Sequence, residues 1–439
     1  MNFKLGMRPT VSTGLLSVSY KALARLLILA SVPASLFWYP ILEVPNFGRI
    51  TASEISLMAL WVLTLVYYAT LKKRSGARDQ AFLILILATI LGVLAALGSI
   101  AFSGAVGPVK ELSLHMKRFG LAAVLPLALN CFASRRLYRW SPIVLLACIL
   151  MMDLFSIFPN LQAGLMITSL KIDSPVLSER AAGMLSNPND SAYIAICALA
   201  SVIAMALARE KRRCWTNLLI GSAISGALAT IVLSASRSGV LGFLAGSFFY
   251  IMMSRSSLIK KSLLIVLLAL SAGVGLHYSD VFGRRMESAL TYRLREVNVE
   301  SRLQAQYVAL RAAIENPLGV GFSNMPQATG RLSYGMAFFA IEESDSVYFD
   351  TILSAGFLGL AVLLLLYRTC WRYVGTSLPH PIESLLILKA GCVAVFVFGL
   401  ASISPASIFV APVAFFMVGS CALPRMGNPL VISSRKRNP

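Results

Sequence analysis

The chain has 439 residues, of which only 13% are charged, and its mean hydropathy is +0.75. This composition excludes an ordinary soluble protein, because a water-soluble core cannot hide so many apolar side chains and the bilayer must be the main solvent. The formal charge of +20 would favour nucleic-acid binding in a soluble protein, but the basic residues lie in alternate loops, as the positive-inside rule requires. The sequence therefore predicts a membrane protein without a nucleic-acid partner.

Apolar runs long enough to span a bilayer recur along the whole chain and predict an all-α, polytopic membrane protein with about twelve transmembrane helices. Residues 1–439 are predicted to form a single transmembrane domain. The first run is not read as a cleavable signal peptide, because Tyr39-Pro40 follows it in place of a small-residue cleavage site. The predicted spans are Leu26 to Leu42, Glu54 to Leu71, Ala81 to Phe102, Phe119 to Ala133, Ser141 to Phe158, Asp190 to Ala208, Asn217 to Ala235, Ser238 to Met253, Ser262 to Tyr278, Ser346 to Tyr367, Glu383 to Ala401 and Ala406 to Cys421.

The distribution of Lys and Arg predicts that both termini are cytoplasmic, because this orientation places the cationic short loops inside. Two longer loops then lie outside, at Pro159 to Asn189 and at 279–345, the latter between the ninth and tenth predicted helices. Long translocated segments escape the positive-inside rule, so the charges of the large loop are free to report function. We therefore expect the chemistry on the extracytoplasmic side.

Every cation of the large loop is an arginine, whereas the short loops mix Lys and Arg. Guanidinium binds phosphate in a bidentate manner and stays charged in any environment, which ammonium does not. The loop is therefore predicted to handle phosphate groups. Its arginines are Arg284, Arg285, Arg293, Arg295, Arg302, Arg311 and Arg331.

The large loop also contains an amphipathic helix pattern that ends at Asn316-Pro317. If the helix includes Arg295, the i, i+7 spacing places Arg295 and Arg302 on one face, where both could hold one ligand. The alternative is a helix that lies on anionic lipid headgroups, which also favours Arg opposite an apolar stripe. The apolar stripe consists of Leu303, Tyr307, Leu310 and Ile314.

Motifs along the second half of the chain carry a resemblance to a known family. They are Arg180-Ala181-Ala182-Gly183 followed by Asn187-Pro188-Asn189, Ser234-Ala235-Ser236-Arg237-Ser238-Gly239, the stretch "NPLGVGFSN" at 316–324, and Asp345-Ser346 opening a span that contains Ala355-Gly356-Phe357-Leu358-Gly359. In this order they resemble the Wzy_C region of O-antigen ligases and polysaccharide polymerases. The resemblance covers roughly Arg180 to Gly359.

The resemblance implies a metal-independent glycosyltransferase that needs no cofactor. Such an enzyme acts on undecaprenyl-pyrophosphate-linked oligosaccharides among the lipids at the outer face of the bacterial inner membrane. A chain-length regulator is a further candidate partner. The ligase branch carries His-Asn where this chain has Asp345-Ser346, and 279–345 contains no His. The polymerase branch, which joins repeat units into exopolysaccharide or O-antigen, therefore fits better.

Two alternatives to the polymerase remain open. The first is an O-antigen ligase that transfers finished polymer to lipid A core. The second is a transporter or flippase of an anionic lipid or solute, although transporters usually carry charges within their spans. Here only Lys389 and Asp153 lie well inside a predicted span.

Arg237 is the leading candidate for binding the donor pyrophosphate, together with Arg302, Arg295 and Arg180. It lies between two apolar spans beside small residues, so a large head group can approach the backbone. The alternative for Arg237 is snorkelling to lipid headgroups. Arg180 has the alternative of pairing with a neighbouring carboxylate, Glu179 or Asp173.

Asp345 is the candidate general base, which would take the proton from an acceptor sugar hydroxyl. Its structural alternative is an N-cap, because Asp directly before an apolar run often caps a helix. Glu342 and Glu343 are alternative bases. Tyr348 is a candidate sugar contact, or else an interfacial anchor. The three His residues and seven Cys residues show no ligand spacing, so neither a metal site nor a disulfide is predicted.

Overall fold

The computed structural model describes most of the chain, including nearly all of the predicted spans and part of the large loop. The described residues are 12–36, 40–44, 48–71, 75–102, 107–157, 188–208, 214–234, 236–254, 297–332, 344, 346–375, 382–402 and 411–423. Their helices are α1 (Ser12–Leu36), α2 (Ala52–Thr70), α3 (Gly76–Phe102), α4 (Pro108–His115), α5 (Val124–Phe132), α6 (Arg135–Ile157), α7 (Pro188–Leu207), α8 (Cys214–Leu233), α9 (Arg237–Met253), α10 (Val297–Glu315), α11 (Met325–Leu332), α12 (Val347–Gly375), α13 (Ile382–Phe398) and α14 (Ala411–Gly419).

The all-α, polytopic class is confirmed. Six of the described helices are long and apolar enough to cross a membrane. A seventh span is possible by length if α4, its π-helical continuation Met116–Gly120 and α5 form one span, bent by 47°. Every predicted apolar run except the ninth overlaps a described helix, and the ninth lies outside the described residues. The number of spans stays a prediction.

The first predicted span is wrong beyond Leu36. The described chain enters a short antiparallel hairpin, with β1 (Pro40–Val44) paired to β2 (Gly48–Thr51). Proline has no backbone N–H and disfavours a helical residue before it, so Pro40 cannot continue α1 as a regular helix. The hairpin leads into α2, where Thr51 and Glu54 form a reciprocal capping box.

The predicted span Ser346 to Tyr367 is not a straight helix. Its backbone breaks at Gly356, where φ is +74° and ψ is −176°. The rings of Tyr348 and Tyr367 lie on opposite sides of this break, yet their centroids are only 6.2 Å apart. A continuous helix would separate these residues by about 28 Å along its axis. The first arm of α12, residues 347–355, therefore folds back towards the second arm, residues 357–375.

The "NPLGVGFSN" stretch binds directly to the break in α12. Interrupting a helix leaves backbone groups without their usual partners, and such groups are costly in an apolar environment. Residues 317–321 supply the missing partners, so two motifs that are far apart in sequence form one backbone unit. The hydrogen bonds run from Val320 N–H to the Leu353 carbonyl (2.9 Å), from Gly321 N–H to the Ser354 carbonyl (2.9 Å) and from Phe357 N–H to the Pro317 carbonyl (3.3 Å).

Glycine is required where these backbones meet. Gly356 adopts a positive φ, and a Cβ there would lie 2.3 Å from the Pro317 carbonyl oxygen. On the opposite side, a Cβ added to Gly98 of α3 would lie 2.9 Å from the carbonyl oxygens of Leu318 and Ser354. The loop, α3 and the break are therefore packed backbone to backbone.

Helix α10 confirms the helix predicted in the large loop, and it ends at Glu315, directly before Asn316-Pro317. Its apolar stripe is not its packed face. Leu303, Tyr307 and Ile314 are 62%, 61% and 64% exposed, and the helix is held instead by small alanines. Alanines let α10 approach its neighbours closely, and the larger apolar side chains remain exposed. The small cluster beneath α10 contains Ala309, Ala312, Val320, Met325, Ala328 and Leu353.

Helix α9 is held against α13 by small residues. A Cβ added to Gly246 would lie 2.7 Å from the Ala390 carbonyl oxygen, and one added to Gly242 would lie 2.9 Å from the Ala394 carbonyl oxygen. Small residues spaced four apart let membrane helices approach closely. This packing fixes the position of Arg237 at the start of α9.

Candidate functional site

Several polar helix ends meet at one end of the bundle. Ser236, just before α9, donates its hydroxyl to the Asn189 side chain at the start of α7 (2.8 Å). The first N–H of α12, from Val347, donates to the carbonyl of Gly399 directly after α13 (3.1 Å). Phe398 of α13 in turn packs edge-on against Tyr193 of α7, with ring centroids 5.1 Å apart. Three separate sequence motifs are thereby brought to one place.

Arg237 is the first residue of α9 and is half-buried. Ser236 caps this helix, because its hydroxyl accepts the N–H of Gly239 (3.1 Å). A Cβ on Gly239 would lie 2.7 Å from the Ala192 Cβ, so α7 and α9 are in close contact beside the arginine. A cation at a helix N-terminus adds to the positive end of the helix dipole, which is the reverse of the stabilising arrangement. The result is a concentration of positive potential suited to an anion.

The backbone on both sides of Asp345 is firmly held. The Asp350 carboxylate accepts the N–H of Ser344 (2.7 Å), and Ser346 donates its hydroxyl to the Gly399 carbonyl (3.1 Å). Asp350 is a buried carboxylate that sequence reasoning missed. The available signal was a second carboxylate one turn inside the predicted tenth span.

A second polar cluster joins α4 to the large loop. The buried carboxylate of Glu111 accepts two backbone N–H groups, from Phe322 (2.7 Å) and Ser323 (2.8 Å). The guanidinium carbon of Arg118 lies 3.4 Å from the centroid of the Phe322 ring. Nearby, Lys117 pairs with Glu54 at 3.5 Å. Sequence reasoning missed this cluster because its charges precede the predicted fourth span.

Two of the predicted site residues have described side chains. Arg237 lies at the end of the bundle described above. Tyr348 is buried: its hydroxyl donates to the Phe396 carbonyl (2.7 Å), and its ring packs against Tyr367 and Phe396. The hydroxyl is thus used within the bundle, and the predicted sugar contact stays a prediction.

The remaining predicted site residues lie wholly or partly outside the described part of the structure. Arg302 lies within the backbone of α10, but its side chain lies outside the described part of the structure. Arg180, Arg295 and Asp345 also lie outside the described residues. The proposed shared face of Arg295 and Arg302 therefore stays a prediction. In the described part of the chain, no group of three or more His, Cys, Asp or Glu side chains could hold a metal ion.

Residues 222–364 match the family model Wzy_C, described as O-Antigen ligase. This match supports the O-antigen ligase and polysaccharide polymerase family for this part of the chain. It includes Arg237, α10, "NPLGVGFSN" and the break at Gly356, but it does not determine the branch. No match to a curated protein was found.

Members of this family are glycosyltransferase-like enzymes of polysaccharide biosynthesis that act on lipid-linked polysaccharide substrates. Together with the spans, the match indicates a multi-pass protein of the bacterial inner membrane. The motifs quoted from the sequence and the family model thus indicate the same family.

Proposed function

We propose that the protein polymerises undecaprenyl-pyrophosphate-linked oligosaccharide repeat units into exopolysaccharide or O-antigen at the outer face of the inner membrane. The observation that carries the proposal is that Arg237 and the start of α12 lie at the same end of the bundle. Asn189 accepts a hydrogen bond from Ser236, next to Arg237, and Gly399 accepts one from the first N–H of α12. An arginine on the positive end of a helix and a segment that carries a candidate base are the two parts that such a transfer needs.

In the proposed reaction, Arg237, Arg302, Arg295 and Arg180 bind the donor pyrophosphate. Asp345 takes the proton from an acceptor hydroxyl while the oxygen of that hydroxyl attacks the anomeric carbon of the donor sugar. The bond from that carbon to the pyrophosphate oxygen breaks, and the arginines stabilise the charge that develops on the leaving group. The departing pyrophosphate drives the transfer, so the proposed mechanism uses neither a metal ion nor a nucleotide.

Other groups near the proposed site have supporting roles. The Asp350 carboxylate accepts the N–H of Ser344 and is thereby proposed to orient the backbone directly before Asp345. Tyr348 is the proposed sugar contact, and the hydrogen bond from its hydroxyl to the Phe396 carbonyl holds it in place beside the start of α12. The preference for polymerase over ligase rests on Asp345-Ser346 in place of His-Asn.

We propose that both termini are cytoplasmic and that the 279–345 loop is periplasmic. In a cysteine-free background, Arg302→Cys is expected to react with a membrane-impermeant maleimide on intact spheroplasts. The matched control restores Cys214, which is exposed and is the first residue of α8 on the proposed inner side. Cys214 should react only after permeabilisation. The reverse pattern would refute the orientation and the proposed periplasmic chemistry with it.

Loss of the protein is expected to leave single repeat units on the lipid carrier. Asp345→Asn should give the same product, because an amide still caps a helix but accepts no proton at neutral pH. The measurement is the length of carrier-linked glycan in each strain, with Glu342→Gln as the matched control.

The outcomes separate the alternatives. Long carrier-linked chains in the deletion strain would mean that the protein is a ligase. Full-length polymer from Asp345→Asn would leave Asp345 as a helix cap, and a defect in Glu342→Gln instead would identify Glu342 as the base.

A further inference from the structure

Helix α4 and its π-helical continuation hold the loop that follows α10, although both lie outside the residues that match the family model. Two of their side chains contact the same loop residue, Phe322. Glu111 accepts its backbone N–H at 2.7 Å, and the guanidinium carbon of Arg118 lies 3.4 Å from the centroid of its ring. Phe322 is therefore held by both its backbone and its side chain, and we call Glu111 and Arg118 the α4 clamp.

Glu111 makes the stronger contacts of the α4 clamp. Its carboxylate is buried, and its second oxygen accepts the N–H of Ser323 at 2.8 Å. Hydrogen bonds to an ionised group are about twice as strong as those between neutral groups. A Cβ added to Gly321 would lie 3.1 Å from the Glu111 carboxyl carbon, so the loop backbone lies directly against this carboxylate. Any movement of the loop away from α4 would leave a buried charge unpaired, which is costly.

The clamped loop connects two parts of the proposed site. It follows directly after α10, which contains Arg302. Its residues 317–321 also hydrogen-bond to the break at Gly356, and the first arm of α12 leads from that break back to Val347, two residues after Asp345 in the sequence. The apolar cluster beneath α10 is small and consists largely of alanines. Polar contacts of the loop therefore do much to fix where α10 lies.

We propose that Glu111 and Arg118 are positioning residues for the transfer reaction, because they fix the place at which α10 carries Arg302. The inference rests on the proposed function, which assigns the donor pyrophosphate to Arg237 and Arg302. Arg237 is fixed by the packing of α9 against α13, whereas Arg302 belongs to a helix of the large loop. Both arginines act on one pyrophosphate only while that loop is held. Misplacing a binding group by about 1 Å lowers a reaction rate by up to about 100-fold.

Glu111→Gln tests the α4 clamp, with Glu54→Gln as the matched control. Glutamine keeps the size of the side chain, but its amide NH₂ group cannot accept the second loop N–H. Glu54 is also a buried carboxylate of the same polar cluster, but its partners are Lys117 at 3.5 Å and the Thr51 N–H at 2.6 Å, which lie outside the large loop. An effect that follows from removing any buried carboxylate would appear in both variants.

The position of α10 is measured directly in the full-length protein in nanodiscs. In the cysteine-free background, spin labels are attached at Leu303→Cys on α10, which is 62% exposed, and at Arg139→Cys, which is exposed on α6. The otherwise unchanged protein and Glu54→Gln should give one narrow distribution of distances between the labels. Glu111→Gln should give a broader distribution. A distribution that Glu111→Gln leaves unchanged would overturn the proposal.

Turnover is measured on the purified, unlabelled variants with lipid-linked repeat units as substrate, and the amount of folded protein is taken from size-exclusion chromatography. Glu111→Gln should lower kcat per folded molecule by about tenfold while KM stays near the wild-type value, because the pyrophosphate charge develops in the transition state. Glu54→Gln should keep the wild-type kcat. A lower yield of folded Glu111→Gln with unchanged kcat would show a purely structural role and overturn the proposal.

Phe322→Leu tests the Arg118 contact and does not depend on whether Glu111→Gln folds. Leucine keeps the apolar bulk and the backbone N–H that Glu111 accepts, but it removes the ring face beneath Arg118. Because a cation–π contact contributes about 0.5–1 kcal/mol at a partly exposed site, kcat should fall about threefold. If Glu111→Gln gives no folded protein, an unchanged distance distribution and an unchanged kcat in Phe322→Leu would overturn the proposal.

Failure of this inference and failure of the proposed function give different results. No polymerisation by the wild-type protein would overturn the proposed function, and the label distances would still show whether Glu111 holds α10. Polymerisation with the same label distances and the same kcat in every variant would overturn the inference alone.

Discussion

Arg237→Lys is expected to lower polymer production by at least about 10²-fold, the loss typical of removing one donor to a developing negative charge. Lysine keeps the positive charge but loses the planar fork that binds two phosphate oxygens at once. The folded protein should be nearly as abundant as the wild type, because Ser236, which caps α9, is unchanged. Polymer is measured on cell extracts, and abundance by immunoblotting of membranes.

The matched control is Arg311→Lys. Arg311 lies on exposed α10, 4.0 Å from Glu315, in an ion pair of the kind that contributes little to stability. The Arg311→Lys variant should produce polymer at the wild-type level. Near-normal polymer from Arg237→Lys would mean that Arg237 only reaches to lipid headgroups. An equal defect in Arg311→Lys would mean that the loss is not specific to Arg237.

Gly356→Ala is expected to destabilise the protein by about 3 kcal/mol or more and to remove most of it from the membrane. The new Cβ would lie 2.3 Å from the Pro317 carbonyl oxygen, at a residue whose φ of +74° already disfavours any side chain. Relief requires moving the loop, which breaks the hydrogen bonds between 317–321 and the break. The effect is measured as the temperature at which detergent-solubilised protein unfolds, with size-exclusion chromatography used to detect the folded protein that remains after heating.

Gly330→Ala serves as the control for this substitution. Gly330 lies in α11 and has nothing within 4 Å of the position where a Cβ would be added. Alanine is the better helix former, so this variant should be as stable as the wild type or slightly more stable. If Gly356→Ala unfolded at the same temperature as Gly330→Ala, the backbone unit would not be needed for the fold.

Several features of the fold could be predicted because they depend on local sequence. A continuous apolar run such as that of α3 must be a helix in lipid, where backbone groups have to be satisfied within the segment. Arg237 could be placed at the start of a helix because it separates two such apolar runs. The end of α10 followed from Asn316-Pro317, because proline stops a helix locally.

Other features could not be predicted because they depend on contacts between distant residues. Hydropathy shows the same apolar run for a straight helix and for two arms joined at Gly356. The packed face of α10 was hidden because its alanines are less hydrophobic than Leu303 or Tyr307. Glu111 could not be placed, because its partners are backbone N–H groups, which every residue except proline carries.

The sequence by itself thus determined the solvent of this protein, the extent of most of its helices and the family that its second half resembles. These properties follow from hydropathy and from short motifs, which are local. Only the tertiary structure decided that "NPLGVGFSN" and the Gly356 break form one backbone unit, and that Arg237 and the start of α12 lie at the same end of the bundle. The physical reason is that these contacts are made by backbone groups and small residues. Such groups pair according to position and not according to chemical type, so their partners are fixed only when the helices pack.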